Sequence, residues 1–228
     1  MSGQSPDSGP GFLYPFLDAT EHDSATLLAD LARSAREKAA ESVTLRRTTL
    51  DDNAGLIAGA AAELGRRFDS GGRLFTFGNG GSSTDATTLA TLFARPPAGD
   101  PHPAWSLTTD QAVLTALGND VGFDLVFARQ LIARARPGDI AVAMSTSGNS
   151  ADLTVALREA RQRGLYTIGF AGYDGGAFAH SPDVDTCFVV RSQSVHRIQE
   201  AQALLGYELW LAVQHHSRQE YAEGSEVR

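Results

Sequence analysis

The chain has 228 residues, of which 42% are hydrophobic and 20% are charged, a composition typical of a globular protein with one sizeable core. Its net charge of -8 and the lack of a dense Lys/Arg run argue against direct nucleic-acid binding. The only cysteine, Cys187, cannot form an internal disulfide, and a thiolate zinc site is not expected. A small buried strand residue is a simpler interpretation of Cys187 than a nucleophile.

The chain divides by composition into four parts. Residues 1–20 begin with a Gly/Ser/Pro-rich stretch and are expected to be flexible, and residues 21–70 carry helical patterns. An α/β domain is predicted over 71–217, followed by a C-terminal tail, 218–228. No secretory signal pattern is visible and no apolar run is long enough to span a membrane, so we expect a cytoplasmic protein.

Two helices are predicted before the α/β domain. The first runs from Ser24 to about Arg47, with apolar residues at helical spacing: Leu27, Leu28, Leu31, Ala35 and Ala39. The second runs from about Asp51 to Phe68, and Ser70 with the two glycines after it suits its end.

Strand and helix signals then alternate. Five short apolar strands are predicted, at Arg73–Phe77, Ala104–Leu107, Asp139–Met144, Leu165–Phe170 and Thr186–Val190. Helical patterns separate and follow them, at about 84–94, 110–117, 123–135, 151–163 and 196–216. This alternation indicates an α/β fold whose parallel sheet is covered by helices on both faces. In such sheets, ligands bind beyond the carboxyl ends of the strands.

The run Ser145-Thr146-Ser147-Gly148-Asn149-Ser150 joins the third strand to the helix after it. Backbone N–H groups and short hydroxyl side chains at such a junction, in front of a helix N-terminus, can bind a phosphate group without Lys or Arg. The structural alternative is a Ser-rich loop in which Ser150 caps the helix.

The loop after the first strand, Gly78-Asn79-Gly80-Gly81-Ser82, is a second candidate. Its glycines permit positive φ angles and the close approach of a ligand to the backbone. Their spacing differs from that of a dinucleotide-binding motif, and a tight strand–helix turn is the structural alternative.

Two further loops carry polar residues. Thr108-Thr109-Asp110 follows the second strand, and Gly118-Asn119-Asp120 lies between two predicted helices. Asn119 and Asp120 could hydrogen-bond sugar hydroxyls, although Asn and Asp in loops more often punctuate helices.

These motifs occur in the order found in a known family. Together with Arg136-Pro137-Gly138-Asp139, Asp174-Gly175-Gly176 and Arg197-Ile198-Gln199-Glu200, they resemble the sugar isomerase (SIS) domain family, specifically its phosphoheptose isomerase branch. The resemblance covers roughly residues 30–215. It implies a flavodoxin-like three-layer fold with a five-stranded parallel sheet and an N-terminal helical extension. It also implies a homotetramer whose sugar-phosphate sites combine loops of more than one subunit.

The resemblance also implies which residues would bind the ligand. The phosphate would lie on the hydroxyl residues Ser145, Thr146, Ser147 and Ser150. The sugar would be lined by residues of the other loops and of the last helix: Asn79, Gly80, Gly81, Ser82, Asn119, Asp120 and Gln199.

The sequence departs from the family at its metal and proton-transfer positions. In the family, zinc is bound by His and Glu on one helix and by Gln and His on another. The resemblance places these positions at Thr88, Thr91, Gln199 and Tyr207, of which Gln199 alone keeps the family's residue type. Threonine is not a useful base at neutral pH and protonated tyrosine is a poor zinc ligand, so no metal is expected. The DnaA initiator-associating proteins resemble isomerases with a similar loss.

Three functional hypotheses follow. The first is a sugar-phosphate-binding protein without conventional isomerase chemistry, whose acidic balance is compatible with a protein partner. The second is an active sedoheptulose 7-phosphate isomerase with rearranged residues, for which His196 and Glu200 are the weak catalytic candidates. A solvated His and a surface or interface Glu are the simpler explanations of these two. The third is a structural oligomer with a vestigial pocket.

Association between subunits has its own sequence signal. The last helix carries apolar residues on most faces from Ile198 to Val213. Such a helix is buried on more than one side, either at a subunit interface or within one subunit.

Overall fold

The computed structural model describes residues 24–226, with side chains for residues 25–216. The predicted flexible segment, 1–20, therefore lies outside the described residues. The chain divides into two compact units, residues 1–43 and 44–228. The described part of the first unit is helical throughout, and the second unit contains the α/β domain.

The first helix, α1, runs without a break over Ser24–Asp69, where the sequence analysis predicted two helices. No Gly or Pro interrupts the expected junction. The polar side chains there bond to the preceding turn: the Thr48 hydroxyl donates to the Thr44 carbonyl at 3.1 Å, and the Asn53 amide donates to the Thr49 carbonyl at 2.8 Å. These bonds keep the polar groups compatible with a helix, so the prediction of two helices was wrong.

Five parallel strands form one sheet in the order β2-β1-β3-β4-β5. They are β1 Leu74–Gly78, β2 Ala104–Ser106, β3 Ile140–Met144, β4 Tyr166–Gly172 and β5 Thr186–Val190. The predicted fold class is confirmed. β5 has the predicted bounds, and the other strands differ from the prediction by one or two residues at an end.

The helices of the domain lie between and after these strands. They are α2 Gly81–Ala94, α3 Gln111–Asp120, α4 Val126–Arg134, α5 Ala151–Gln162 and α6 Val195–Glu226. The predicted helix 123–135 begins as a 3-10 turn, Phe123–Leu125. The helix α3 continues through Gly118–Asp120, which was predicted to be a loop. No helix in the described part of the chain is long and apolar enough to cross a membrane.

The sheet separates two hydrophobic cores. Ile140, Val142 and Met144 of β3 pack in the core that contains residues of α1, α2 and α6. The alternate residues Ala141 and Ala143 pack in the core that contains residues of α4 and α5. Because both faces are covered, every residue of β3 is buried, which explains its continuous apolar sequence.

The strand order places two of the candidate loops side by side. β1 pairs with β3 along its whole length, and Gly78 at the end of β1 lies opposite Met144 at the end of β3. The loops that follow these residues therefore start at neighbouring positions on the carboxyl edge. In a sheet with this order, the gap between β1 and β3 is where the direction of winding reverses and where ligands bind.

Candidate functional site

The loop after β3 is held in shape by Ser145. Its backbone N–H donates to the Phe170 carbonyl at 3.0 Å, which continues the pairing with β4. Its hydroxyl oxygen accepts from the backbone N–H of Gly148 at 2.9 Å and of Ser147 at 3.3 Å. Only 4% of Ser145 is exposed. Ser145 is therefore a buried residue that holds the loop in shape, whereas Thr146 and Ser147 are only half buried.

The turn after β4 packs tightly against this loop. Gly148 has a φ of 68°, and a Cβ atom there would lie 2.3 Å from the Gly175 carbonyl oxygen. The Asn149 side-chain oxygen accepts from the Ala177 N–H at 2.8 Å. These contacts explain why the Asp174-Gly175-Gly176 motif accompanies the serine run: glycines let two loops share one space.

Ser150 occupies the N-cap position of α5 without capping it through its side chain. Its φ of -68° and ψ of 126° are those of an N-cap, but its hydroxyl makes no hydrogen bond to the first turn. The structural alternative from the sequence analysis, a side-chain cap, is therefore not what the structure shows. The Ser150 hydroxyl lies instead at the N-terminus of α5, where backbone N–H groups favour an anion.

Asn79 links the two loops. Its amide nitrogen donates to both carboxylate oxygens of Asp152, at 3.0 and 2.9 Å. Asp152 lies in the first turn of α5 and is 4% exposed. Burial raises the pKa of the Asp152 carboxyl, and the hydrogen bond from Asn79 partly opposes that rise. Asn79 thus positions the start of α5 relative to the loop Gly78–Ser82, called the glycine loop below.

The side chain of Gln199 on α6, a predicted site residue, packs directly against the glycine loop. A Cβ atom on Gly81 would lie 2.2 Å from Nε2 of Gln199, so the amide rests directly on the glycine backbone. Gly80, with a φ of 53°, makes the turn into α2, and Ser82 is buried in the first turn of that helix. The structure therefore brings Gly80, Gly81 and Gln199 together.

Asn119 and Asp120 occupy the exposed last turn of α3. The Asn119 amide donates to the Asp120 carboxylate at 2.8 Å. Their bond to one another is the contact that the structure records for these side chains. Their part in sugar binding therefore stays a prediction from the resemblance.

The residues that the resemblance places at the family's metal positions do not fit zinc. The Thr88 hydroxyl donates to the Thr84 carbonyl at 2.9 Å, and the Thr91 hydroxyl donates to the Thr87 carbonyl at 2.8 Å. Tyr207 is half exposed, and its ring centre lies 5.4 Å from that of Trp210. In the described part of the chain no three His, Cys, Asp or Glu residues group closely enough to hold a metal ion. Neutral hydroxyls with one amide are a poor donor set for Zn²⁺.

The two weak catalytic candidates lie at the exposed start of α6. His196 is exposed, and Glu200 forms an ion pair with Arg46 of α1, with an N–O distance of 3.1 Å. This contact agrees with the simpler explanation of Glu200 as a surface residue. Because both partners are about half exposed, the pair contributes little to stability.

A small cavity between α2, β3 and α6 contains two polar residues that the sequence analysis missed. Its volume is about 50 Å³, and Asp85, Thr88, Met144, Gln202, Gly206 and Tyr207 are among its lining residues. Oδ2 of Asp85 and Oε1 of Gln202 are buried without a hydrogen-bond partner. Burial raises the pKa of the Asp85 carboxyl, and hydrogen bonding from Gln199 partly offsets this. Asp85 and Gln202 each lie three residues from a family position on the same helix, which is the signal that could have revealed them.

A larger cavity, of about 390 Å³, lies at the opposite edge of the sheet among arginine side chains and glycines. Asp139 is one of its lining residues, and 3% of the Asp139 side chain is exposed. The Asp139 carboxylate accepts from Arg73 Nη2 at 2.7 Å and from the Arg136 backbone N–H at 2.8 Å. The Arg136-Pro137-Gly138-Asp139 motif thus braces the amino ends of β1 and β3, away from the candidate site.

The fold and the two loops identify a class of protein. The sequence pattern of the SIS domain family matches residues 39–172, and the chain belongs to this family. The resemblance inferred from the motifs is thereby confirmed.

Within that family the chain is similar to phosphoheptose isomerases. It is 42% identical to the phosphoheptose isomerase of Solidesulfovibrio magneticus over 182 residues, which cover 77% of this chain and 86% of that protein. It is 40% identical to the enzyme of Roseiflexus sp. over 168 residues, 73% of this chain and 84% of that protein. The structure of the Neisseria gonorrhoeae phosphoheptose isomerase superimposes with a TM-score of 0.74 at 32% identity, covering 80% of this chain and 98% of that one.

Proposed function

We propose that this SIS protein binds a phosphorylated sugar between the loops after β1 and β3. The supporting observation is the loop Ser145–Ser150, braced by Ser145 and by the turn after β4, with the Ser150 hydroxyl uncommitted at the N-terminus of α5. Hydroxyl and backbone N–H donors in front of a helix N-terminus match a phosphate. The similarity to phosphoheptose isomerases supports a sugar as the rest of the ligand.

We further propose that the protein does not use the zinc-assisted chemistry that the family resemblance implies. Moving a proton between sugar carbons requires a base and an acid or metal, and each acid–base group contributes a rate factor of about 10² to 10⁴. The hydroxyls of Thr88 and Thr91 are bonded to their own helix, and a tyrosine stands at 207. The output would then be regulatory, through ligand-dependent association with a protein partner.

The experiment is a paired measurement of binding and turnover. Purified protein is incubated with sedoheptulose 7-phosphate, and both thermal unfolding and formation of the aldose product are followed. The proposal expects a rise in Tm that increases with ligand concentration, without turnover at ordinary isomerase rates. Turnover at such rates would overturn the non-catalytic part, and no rise in Tm would overturn the binding part.

An active isomerase with rearranged residues is the second candidate function. The observation in its favour is the 40–42% identity to proteins named phosphoheptose isomerase. It predicts turnover of sedoheptulose 7-phosphate that is abolished by His196→Ala or Glu200→Gln. Persistence of turnover in both variants would assign the chemistry to other residues.

We also propose an assembly state and a cellular location for the protein. A homotetramer remains the proposed assembly, with the apolar α6 as a candidate interface helix, and the cytoplasm remains the proposed location. Sedimentation of the purified protein tests the assembly directly, because a monomer would contradict it.

A further inference from the structure

Two residues that line the cavity between α2, β3 and α6 carry a buried hydrogen-bond acceptor without a partner. Asp85 contributes Oδ2 and Gln202 contributes Oε1, and each atom is shielded from solvent without a partner. An unsatisfied buried acceptor is unfavourable, and a charged one more so. Two of them lining one cavity indicate a place where a donor binds.

The orientation of the Gln202 amide is fixed by its other end. Its Nε2 donates to the Ser145 carbonyl at 2.7 Å, so the nitrogen must lie on that side and the oxygen on the other. Gln202 is fully buried, with 0% exposure. If the amide were flipped, its oxygen would face the Ser145 carbonyl oxygen, which is unfavourable. A flip therefore cannot give the unpaired amide oxygen a hydrogen-bond partner.

The cavity adjoins both loops of the proposed sugar-phosphate site. Met144, which lines it, directly precedes Ser145, and Gln202 bonds to Ser145 itself. On the other side, the Gln199 amide, which lowers the pKa of the Asp85 carboxyl, rests on the backbone of Gly81. One wall of the cavity therefore adjoins the start of the loop Ser145–Ser150, and Gln199 connects the cavity to the glycine loop.

The size and lining of the cavity limit what can enter. About 50 Å³ holds a few water molecules or a hydroxyl-bearing carbon, and it is too small for a whole sugar. The Met144 and Gly206 parts of the wall are apolar, and of its polar residues Asp85 and Gln202 are the ones with a buried atom that lacks a partner. A carboxylate beside an amide oxygen favours a donor such as a hydroxyl and disfavours an anion.

We propose that Asp85 and Gln202 form a subsite for a hydroxyl group at the end of the sugar remote from its phosphate. This inference rests on the proposed function, because it assigns the far end of the same ligand. Asp85 accepts a hydrogen bond from that hydroxyl and Gln202 accepts a second from the same or the adjoining hydroxyl. The two residues thus select a polyhydroxylated chain over other phosphate esters.

The test measures selectivity, so that loss of the subsite can be separated from loss of phosphate binding. Calorimetry gives the affinities of wild type and Asp85→Asn for sedoheptulose 7-phosphate and for n-heptyl phosphate, which lacks the hydroxyls. Losing a hydrogen bond to a charged group is expected to weaken sugar-phosphate binding about tenfold or more, while n-heptyl phosphate binding changes less than about twofold. Asp52→Asn, the same change on the exposed face of α1, is the matched control and should alter neither affinity.

The outcomes separate the two proposals. If wild type binds neither compound, the proposed function fails. If wild type binds the sugar phosphate and Asp85→Asn keeps the full preference over n-heptyl phosphate, the subsite is wrong and the cavity holds water alone. Should Asp85→Asn fail to fold, wild type is compared with 1-deoxysedoheptulose 7-phosphate. Binding as tight as that of the parent compound would overturn the subsite, and an affinity about tenfold lower would support it.

Discussion

The buried Gln202 amide donates to the Ser145 carbonyl across 2.7 Å and so ties α6 to the loop Ser145–Ser150. Ser145 in turn holds the N–H groups of Ser147 and Gly148 through its hydroxyl. A side chain of the last helix therefore supports the loop that binds the phosphate in the proposed function.

Replacing Gln202 is expected to destabilise the protein. Gln202→Met keeps the length of the side chain but leaves the Ser145 carbonyl without this donor, at a cost of about 1–3 kcal/mol. Urea unfolding measures the change in free energy. The exposed Gln162→Met in α5 is the control, with an expected change within about 0.5 kcal/mol. Equal effects at both positions would show that the Gln202–Ser145 bond does not support the loop.

Gly81→Ala should impair ligand binding more than folding. The added Cβ would lie 2.2 Å from Nε2 of Gln199, so this amide must leave the glycine loop. We expect a smaller ligand-induced rise in Tm with sedoheptulose 7-phosphate. Gly59→Ala is the matched control, because a Cβ there meets nothing within 4 Å and the residue lies inside α1. It should raise stability by about 0.5–1 kcal/mol without changing ligand binding. An unchanged ligand response in Gly81→Ala would contradict the placement of Gln199.

Asn79→Ala should produce a pH-dependent loss of stability. Burial raises the pKa of Asp152, so its ionised form is disfavoured in the folded protein, and stability falls as pH rises through the interval between its unfolded and folded pKa values. Removing the Asn79 amide raises the folded pKa further and extends this interval upward. The loss relative to wild type should be small in acid, where the carboxyl is protonated in both states, and larger near neutrality. Urea unfolding over a pH series measures it, and a loss independent of pH would refute this role for Asn79.

Asp139→Ala should be strongly destabilising without altering ligand selectivity. It removes a buried carboxylate that pairs with Arg73 and accepts the Arg136 N–H at the edge of the sheet opposite the site. Breaking a buried pair costs about 3–5 kcal/mol, whereas Glu159→Ala, which breaks the more exposed pair with Arg163, should cost about 0.5 kcal/mol. Thermal and urea unfolding compare the two. Similar losses of stability in the two variants would mean that the Asp139–Arg73 pair contributes no more than an exposed ion pair.

The strands could be predicted from sequence because each is a short apolar run bounded by turn residues. Buried on both faces, β3 reads as continuous Ile, Ala, Val, Ala and Met, and β5 was predicted with its observed bounds. The bounds of α1 could not be predicted in the same way. The polar sequence around Thr48 and Asn53 resembles the junction between two helices. In the structure these side chains hydrogen-bond to the preceding turn, and the helix continues.

The candidate loops could also be predicted, but the roles of single residues within them could not. Whether Ser145 faces a ligand or its own loop depends on which N–H groups lie within reach of its hydroxyl. The cavity of Asp85 and Gln202 depends on the packing of α2 against α6, which no local pattern records. The edge of the sheet that carries the candidate site could therefore be predicted from sequence, whereas packing determines which groups face it.

The most direct test is a calorimetric titration of sedoheptulose 7-phosphate into wild type and into the double variant Ser147→Ala, Ser150→Ala. Ser70→Ala, an exposed serine at the end of α1, serves as the control. Binding to wild type and to the control, with an affinity about tenfold or more lower in the double variant, is the expected result. Equal binding to all three proteins would contradict a phosphate site at Ser145–Ser150.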